Sequence, residues 1–195
     1  MDNNSDMIGA YRGSVKNRVI TALLQSNLDT LDYDGMKSIL REAELIDLKD
    51  LRDVDPEGTI DFFSFKKIIS AQNCLLYDSS QLLYEIGRKF SFYLYPFGKK
   101  FEEIIVDINN LIETDWKVEI SDRSELRYII DVKKCVFCSE IGISCDLFKA
   151  FLINSLEKSL PSDNVVRPIS IKENINSPNH NSFRLTLIVE KKILE

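Results

Sequence analysis

One histidine occurs in the whole chain of 195 residues. A single imidazole severely limits triad catalysis and multi-histidine metal sites. Glycine and proline are also scarce, at 7 and 5 residues, below average usage. That scarcity argues against glycine-rich phosphate loops and long proline-rich linkers, and no G-x-G-x-x-G follows a strand pattern, so a Rossmann unit is not supported. Acidic residues outnumber basic ones, 31 to 25, for a net charge of −6. Generic nucleic-acid binding needs Lys and Arg against phosphates, so no nucleic-acid partner is expected. No apolar run approaches the ~20 residues of a membrane helix. The first ten residues lack the basic and apolar regions of a signal peptide. A soluble, cytoplasmic chain is therefore expected. In a reducing compartment its four cysteines read as thiols or metal ligands rather than a disulfide framework.

Globular levels of hydrophobic and charged residues, 44% and 29%, set disorder aside. With no repeat and no break in composition, residues 1–195 read as one domain. Tyr11, Val15, Val19, Ala22 and Leu23 fall at helical spacing and predict a helix over Ile8–Gln25. Met36, Ile39, Leu40 and Ala43 mark a second helix, and Phe65, Ile68, Ile69 and Leu76 a third. A fourth runs from a capping box at Asp78 and Gln81 to about Tyr95, and a fifth carries the stripe Phe101, Ile104, Ile105, Ile108, Leu111 and Ile112. The period then falls to two. Trp116, Val118 and Ile120, then Leu126, Tyr128, Ile130 and Val132, predict a hairpin turning through Asp122–Ser124. A helix from Phe148 to Leu160 and strands around Val165–Ile171 and Phe183–Val189 complete the order. The fold class is α+β: an N-terminal helical layer, then a β-β-α-β-β antiparallel sheet.

Two patterns carry chemistry. Cys135 and Cys138 form a CxxC after the second strand of the hairpin, and Cys145 follows at the next helix. CxxC lets two thiolates reach one ion, and a tetrahedral zinc site needs two more ligands, for which Cys145 and His180 are the candidates. The competing readings are small apolar residues at a strand–helix junction and a redox pair. Cys74, within a helical stripe, is expected in the core. The second pattern is residues 53–64, where Asp53, Asp55, Glu57, Gly58, Thr59 and Asp61 follow the EF-hand calcium loop. Position twelve is Ser64 rather than the bidentate Glu, so calcium is disfavoured and an acidic interhelical turn preferred.

Further segments support a family resemblance. Gly35–Ala43, Leu83–Arg88 followed by Phe90, the Cys135-x-x-Cys138 and Cys145 segment, and Ile171–Glu173 followed by Phe183–Leu187 resemble the superfamily of TRAPP subunits, haem nitric-oxide sensors and 4-vinyl reductase (hydrocarbon-binding) domains. The resemblance spans about Tyr11 to Val189, and Gly87 takes the place where that group's central helix packs closely. It implies a non-enzymatic binding, regulatory or scaffolding domain, a homodimer, with an apolar or lipid-like small molecule or a partner protein as ligand. The family's two further cysteines fall at Asn176 and Asn181 here, which leaves His180 as the best fourth ligand. The haem sensors need a helix-borne His and a Tyr-x-Ser-x-Arg motif, both missing, so haem is disfavoured. The aromatic run from Phe90 to Phe97 exceeds what one helix face buries, so this helix is either central to the core or lines a pocket or dimer interface; along it, Tyr84, Arg88, Phe92 and Tyr95 are the candidate ligand-binding residues. The alternatives are a thiol- or zinc-dependent enzyme using the CxxC pair and a calcium-responsive module.

Overall fold

The computed structural model describes residues 12–50, 55–96, 98–138, 144–173 and 181–192. Strand β1 (Ser14–Lys16) leads into helix α1 (Asn17–Glu42), followed by a 3-10 turn (Ile46–Lys49), β2 (Thr59–Asp61), α2 (Phe62–Leu75), α3 (Ser80–Leu94) and α4 (Phe101–Leu111). Then come β3 (Ile112–Glu113), β4 (Lys117–Arg123), β5 (Arg127–Lys133), α5 (Asp146–Ser159), β6 (Asn164–Glu173) and β7 (Phe183–Lys191). The last four strands form one antiparallel sheet in the order β4-β5-β7-β6. The expected α+β architecture is present. No helix among the described residues is long and apolar enough to cross a membrane.

The larger sheet shows the two-residue period directly. Tyr128, Ile130 and Val132 of β5 and Phe183, Leu185, Leu187 and Val189 of β7 are buried, while the opposite face carries cross-strand ion pairs such as Arg184–Asp131 and Lys133–Glu119. One face thus takes the hydrophobic gain and the other stays wet. Against the buried face lies α5, whose Phe148 and Phe151 join Phe90, Phe137 and Trp116 in a continuous aromatic cluster. Ring centroids of Phe137 and Phe148 are 4.9 Å apart and nearly parallel.

Helices α3 and α5 approach closely because Gly87 has no side chain. A Cβ there would lie 1.9 Å from the Leu147 carbonyl oxygen, so the expected close-packing glycine is found. Ser91 and Ser155 share a buried hydrogen bond of 2.8 Å across the same contact.

The N-terminal expectation needs correction. Residues 14–16 are strand, and the helix starts at Asn17 rather than Ile8; residues 1–11 lie outside the described set. β1 is the centre of a small sheet, β2-β1-β3, where Val15 is buried. The separate first and second helices are one element interrupted at Asp32 (φ 62°, ψ −175°). The Asp32 carboxylate accepts from the amides of Asp34 and Gly35 and restarts the helix, a local bond that offsets the cost of positive φ. The fourth helix is preceded by Ser79, with no side-chain cap bond, instead of by a capping box at Asp78.

A buried thiol cluster as candidate metal centre

β5 delivers the chain to the cluster. After Lys133 the backbone turns through Lys134, at φ 50°, and two hydrogen bonds fix the turn to the segment before β7. The Lys134 amide donates to Ser182 Oγ and the Cys135 amide to the Asn181 carbonyl at 2.6 Å. The turn from Cys135 to Cys138 then runs across α2, which holds three successive carbonyls. Lys66 Nζ donates to the carbonyls of Val136 and Cys138, at 3.3 and 3.0 Å, and Asn73 Nδ2 to that of Phe137, at 3.3 Å. These bonds satisfy backbone groups that would otherwise be costly to bury. Phe137, between the cysteines, anchors the turn in the aromatic cluster, edge-on to Phe65 and stacked on Phe148.

Cys145 comes from the other side, at the N-cap position of α5. Next to it, Asp146 accepts a hydrogen bond from Ser80 at the start of α3. The Sγ atoms of Cys135, Cys138 and Cys145 all lie within 4.8 Å of one another, and all three residues are buried. Cys135 and Cys145 stand 3.4 Å apart, Sγ to Sγ.

Protons are shared unequally among the three. Burial works against charge on Cys135, but hydrogen bonds from Cys138, Cys145 and the Phe137 and Cys138 amides outweigh it and hold its thiol well below the ordinary range. Cys138 is pushed up by its hydrogen bond to Cys135, and Cys145 by burial and then by the same neighbour. Cys135 is thus biased toward the thiolate, and Cys138 and Cys145 toward keeping their protons. A thiophilic cation is the natural replacement for those two protons, since metal binding at cysteines releases them. The Lys66 ammonium lies beside Cys138 and favours its ionised form. Lys149, one turn into α5 and 4% exposed, donates to Ser144 Oγ at 2.7 Å.

The three cysteines read together in the sequence are thus brought together. His180 lies outside the described residues, although its neighbour Asn181 bonds Cys135. Cys74 is not a core residue as expected: it is exposed on α2, on a surface pocket of about 400 Å³ that also involves Glu44, Lys67 and Ser70. The helical stripe passes through positions 65, 68, 69 and 76, and Cys74 falls off that face. Lys66 and Asn73 were missed. Their available signal was a lysine and an asparagine seven residues apart on one helix, the spacing of a shared face.

Tyr84, Arg88 and Phe92 form one row along α3. Tyr84 and Phe92 are exposed, Arg88 pairs with Glu85 at 2.8 Å, and Lys158 sits over the Phe92 ring. Tyr95 leaves that row: its side chain is buried, where burial and the Asp107 carboxylate raise its pKa. In the calcium-like loop Asp53 lies outside the described residues. Asp55 Oδ1 accepts from the Glu57 amide, its carbonyl accepts from Asn17, and Asp61 caps α2 by accepting from the Ser64 amide and hydroxyl.

No family model and no curated protein matches the sequence. Solved structures do. An Fe(II) unliganded H-NOX protein from K. algicida superposes with a TM-score of 0.60 at 12% identity, covering 93% of this chain and 100% of that one. An oxygen-binding H-NOX domain related to soluble guanylate cyclases gives 0.57 at 14% identity, covering 92% and 96%. A third, described by haem redox potential and porphyrin distortion, gives 0.58 at 14% identity over 93% and 98%. The fold is that of the H-NOX domains. Of the resemblance read from the motifs, this likeness bears out the shared fold; the 4-vinyl reductase branch is supported only through it.

This likeness corrects one expectation. Haem was disfavoured because the helix-borne His and the Tyr-x-Ser-x-Arg motif are missing, yet the matching structures are of H-NOX domains, and those described by haem or porphyrin are among them. Missing motifs therefore do not set haem aside. As donors to iron, the described residues offer no imidazole; the buried thiols Cys135, Cys138 and Cys145 are the soft ligands present.

Proposed function

We propose that this chain is a non-enzymatic small-molecule-binding or regulatory domain on an H-NOX-type scaffold, with a structural thiolate–metal centre at Cys135, Cys138 and Cys145. The observation that carries the metal centre is the convergence of three buried Sγ atoms within 4.8 Å, from two elements that nothing else ties covalently. Zinc is the metal class: it takes thiolates tetrahedrally, needs no redox chemistry, and in structural sites takes four protein ligands. His180 is the proposed fourth ligand, one residue from the Asn181 carbonyl that bonds Cys135. Bound there, the metal supplies a cross-link between the end of β5 and the start of α5. The chain's own residues do the rest. Lys66 and Asn73 fix the direction of the CxxC carbonyls, and Lys66 offsets the negative charge that three thiolates leave around a divalent ion.

Support for the sensing role is the fold and the gas- and haem-binding structures that share it. The row Tyr84, Arg88 and Phe92 on α3 is the proposed contact for an apolar ligand or for a second copy of the chain, because two exposed aromatics flank one cation on a single helix face.

Native mass spectrometry with elemental analysis, on protein purified without a histidine tag, tests this reading. One zinc per chain, lost in Cys135→Ser and Cys138→Ser, is the expected result. His180→Ala should weaken retention of the ion without abolishing it. Haemin added to the same sample, followed by its Soret absorption, decides whether the scaffold takes haem. A reduced chain that binds no metal overturns the thiolate centre. A metal-loaded chain that hydrolyses ester substrates would instead favour the zinc-enzyme reading, since catalysis requires an open fourth position.

A further inference from the structure

Helix α3 is packed on three sides and open on the fourth. Leu83, Ile86 and Phe90 face the core. Gly87 and Ser91 meet α5, and Lys89 and Tyr93 bond Asp29 of α1. At 3.6 residues per turn, Tyr84, Glu85, Arg88 and Phe92 share the remaining side. Tyr84 and Phe92 are 42% and 52% exposed there. Between them, Arg88 and Glu85 pair at 2.8 Å, with side chains 55% and 35% exposed. Lys158 of α5 reaches over the Phe92 ring from the edge of this side.

Shape decides between the possible occupants. Small apolar molecules bind in clefts that enclose them. This side is the outer face of one helix, a ridge, and ridges pack against another helix. The charges decide which helix. Glu85 and Arg88 are three residues apart, about 4.5 Å along the axis. A two-fold axis crossing α3 midway between them runs a second α3 antiparallel to the first. The partner's Arg88 then stands level with Glu85, and the partner's Glu85 level with Arg88. Two reciprocal ion pairs form at the axis and no like charges meet. The partner's Phe92 comes level with Gln81, within one turn of Tyr84, so an aromatic pair forms at each end. This side is therefore complementary to itself, as an isologous interface must be.

We infer that the chain forms an antiparallel homodimer through α3, in which Glu85 and Arg88 exchange partners across a two-fold axis and Tyr84 and Phe92 pack on either side of it. This rests on the reading of the Tyr84, Arg88 and Phe92 row as a contact surface, and assigns the row to a second copy rather than to an apolar ligand. One helix pair buries less than the ~1,600 Å² of a standard interface, so the dimer is weak and its population follows protein concentration.

Sedimentation velocity of the full chain over a concentration series, with native mass spectrometry of mixtures, tests this. The wild type should pass from one chain to two as concentration rises, and added salt should oppose the shift. Phe92→Asp should raise the dimer Kd about tenfold or more. The decisive variants are Glu85→Arg and Arg88→Glu. Each copy of the first carries two cations at the axis, and each copy of the second two carboxylates, so either alone should stay monomeric. Mixed one to one, every cation faces a carboxylate. A heterodimer should then form, recognised by the unequal masses of its chains, and its recovery also shows that both variants fold. A wild type that stays monomeric overturns the inference. So does a wild-type dimer that neither substitution breaks, and so do two monomeric variants that fail to pair on mixing. A chain that pairs in this way but holds neither metal nor small molecule sinks the proposed function and leaves the α3 interface standing; a monomer that holds them does the reverse.

Discussion

Two segments of this chain carry metal-binding patterns, and their atoms have opposite fates. In the turn Cys135–Cys138 and at Cys145, the backbone is satisfied by groups from elsewhere: Lys66, Asn73 and Asn181 bond the amides and carbonyls. The three sulfurs are left facing one another. In the segment 55–61 the ligand-type atoms are themselves the structural bonds. Asp61 caps α2, Asp55 closes its own turn, and Asn17 draws the loop onto the start of α1. Spacing alone scores both as candidate sites. The difference is whether the rest of the fold bonds the backbone and frees the side chains, or uses the side chains to bond the backbone.

The largest effect that could break this contrast is loss of metal from the cysteine cluster. A ligand at 1,000 times its Kd adds about 4 kcal/mol of stability, which for a chain of this length is a shift of about 8–16 °C in Tm. Calorimetry of zinc-loaded against chelator-treated protein should show a drop of that order. Equal melting temperatures would place the thiols with the loop oxygens, as parts of the packing only.

Gly87→Ala comes next. Its Cβ would meet the backbone of Leu147 rather than a flexible side-chain end, and overpacking of this kind costs about 1–3 kcal/mol. Because the displaced turn carries Cys145, zinc affinity should fall together with Tm. A stability loss without an affinity loss would show that the cluster is set by β5 and α2 alone.

Asn73→Leu is a smaller perturbation of the same region. It leaves the Phe137 carbonyl without its α2 donor, at a cost of about 1–3 kcal/mol, and supporting bonds of this kind change metal affinity by about 10–100-fold. Unchanged zinc binding in a competition titration would mean that the turn holds its own direction.

The sequence made one side of the contrast readable. Period-two alternation over Tyr128–Val132 and Phe183–Val189 was long enough to place a sheet, and the Phe101–Ile112 stripe placed α4. β1, at three residues, is too short to show a period, and its partners lie far along the chain. The break at Asp32 depends on a side chain bonding amides two and three residues on, which leaves the apolar pattern on both sides intact. CxxC with Cys145 was legible because proximity in sequence and at a helix start brings sulfurs together. Lys66 and Asn73 were not, because a polar residue on a helix face gives no hint of which distant carbonyl it meets.

The smallest expected effect concerns Asp61, and it bears on the other side of the contrast. Burial opposes its charge, but the Ser64 hydroxyl and amide outweigh that and lower its pKa below the ordinary carboxylate value. A carboxylate depressed in the folded state adds stability above its unfolded pKa, and that contribution is lost as pH falls through the folded one. Asp61→Ala should therefore cost about 1 kcal/mol at neutral pH, the usual value of a helix N-cap, and about nothing once the wild-type carboxyl is protonated. Denaturation of both proteins across the acid range measures this. If Asp61 were instead a ligand, the wild-type advantage would grow with added Ca²⁺ and stay small without it. An advantage present without calcium, and fading only with acid, assigns the carboxylate to the helix it caps.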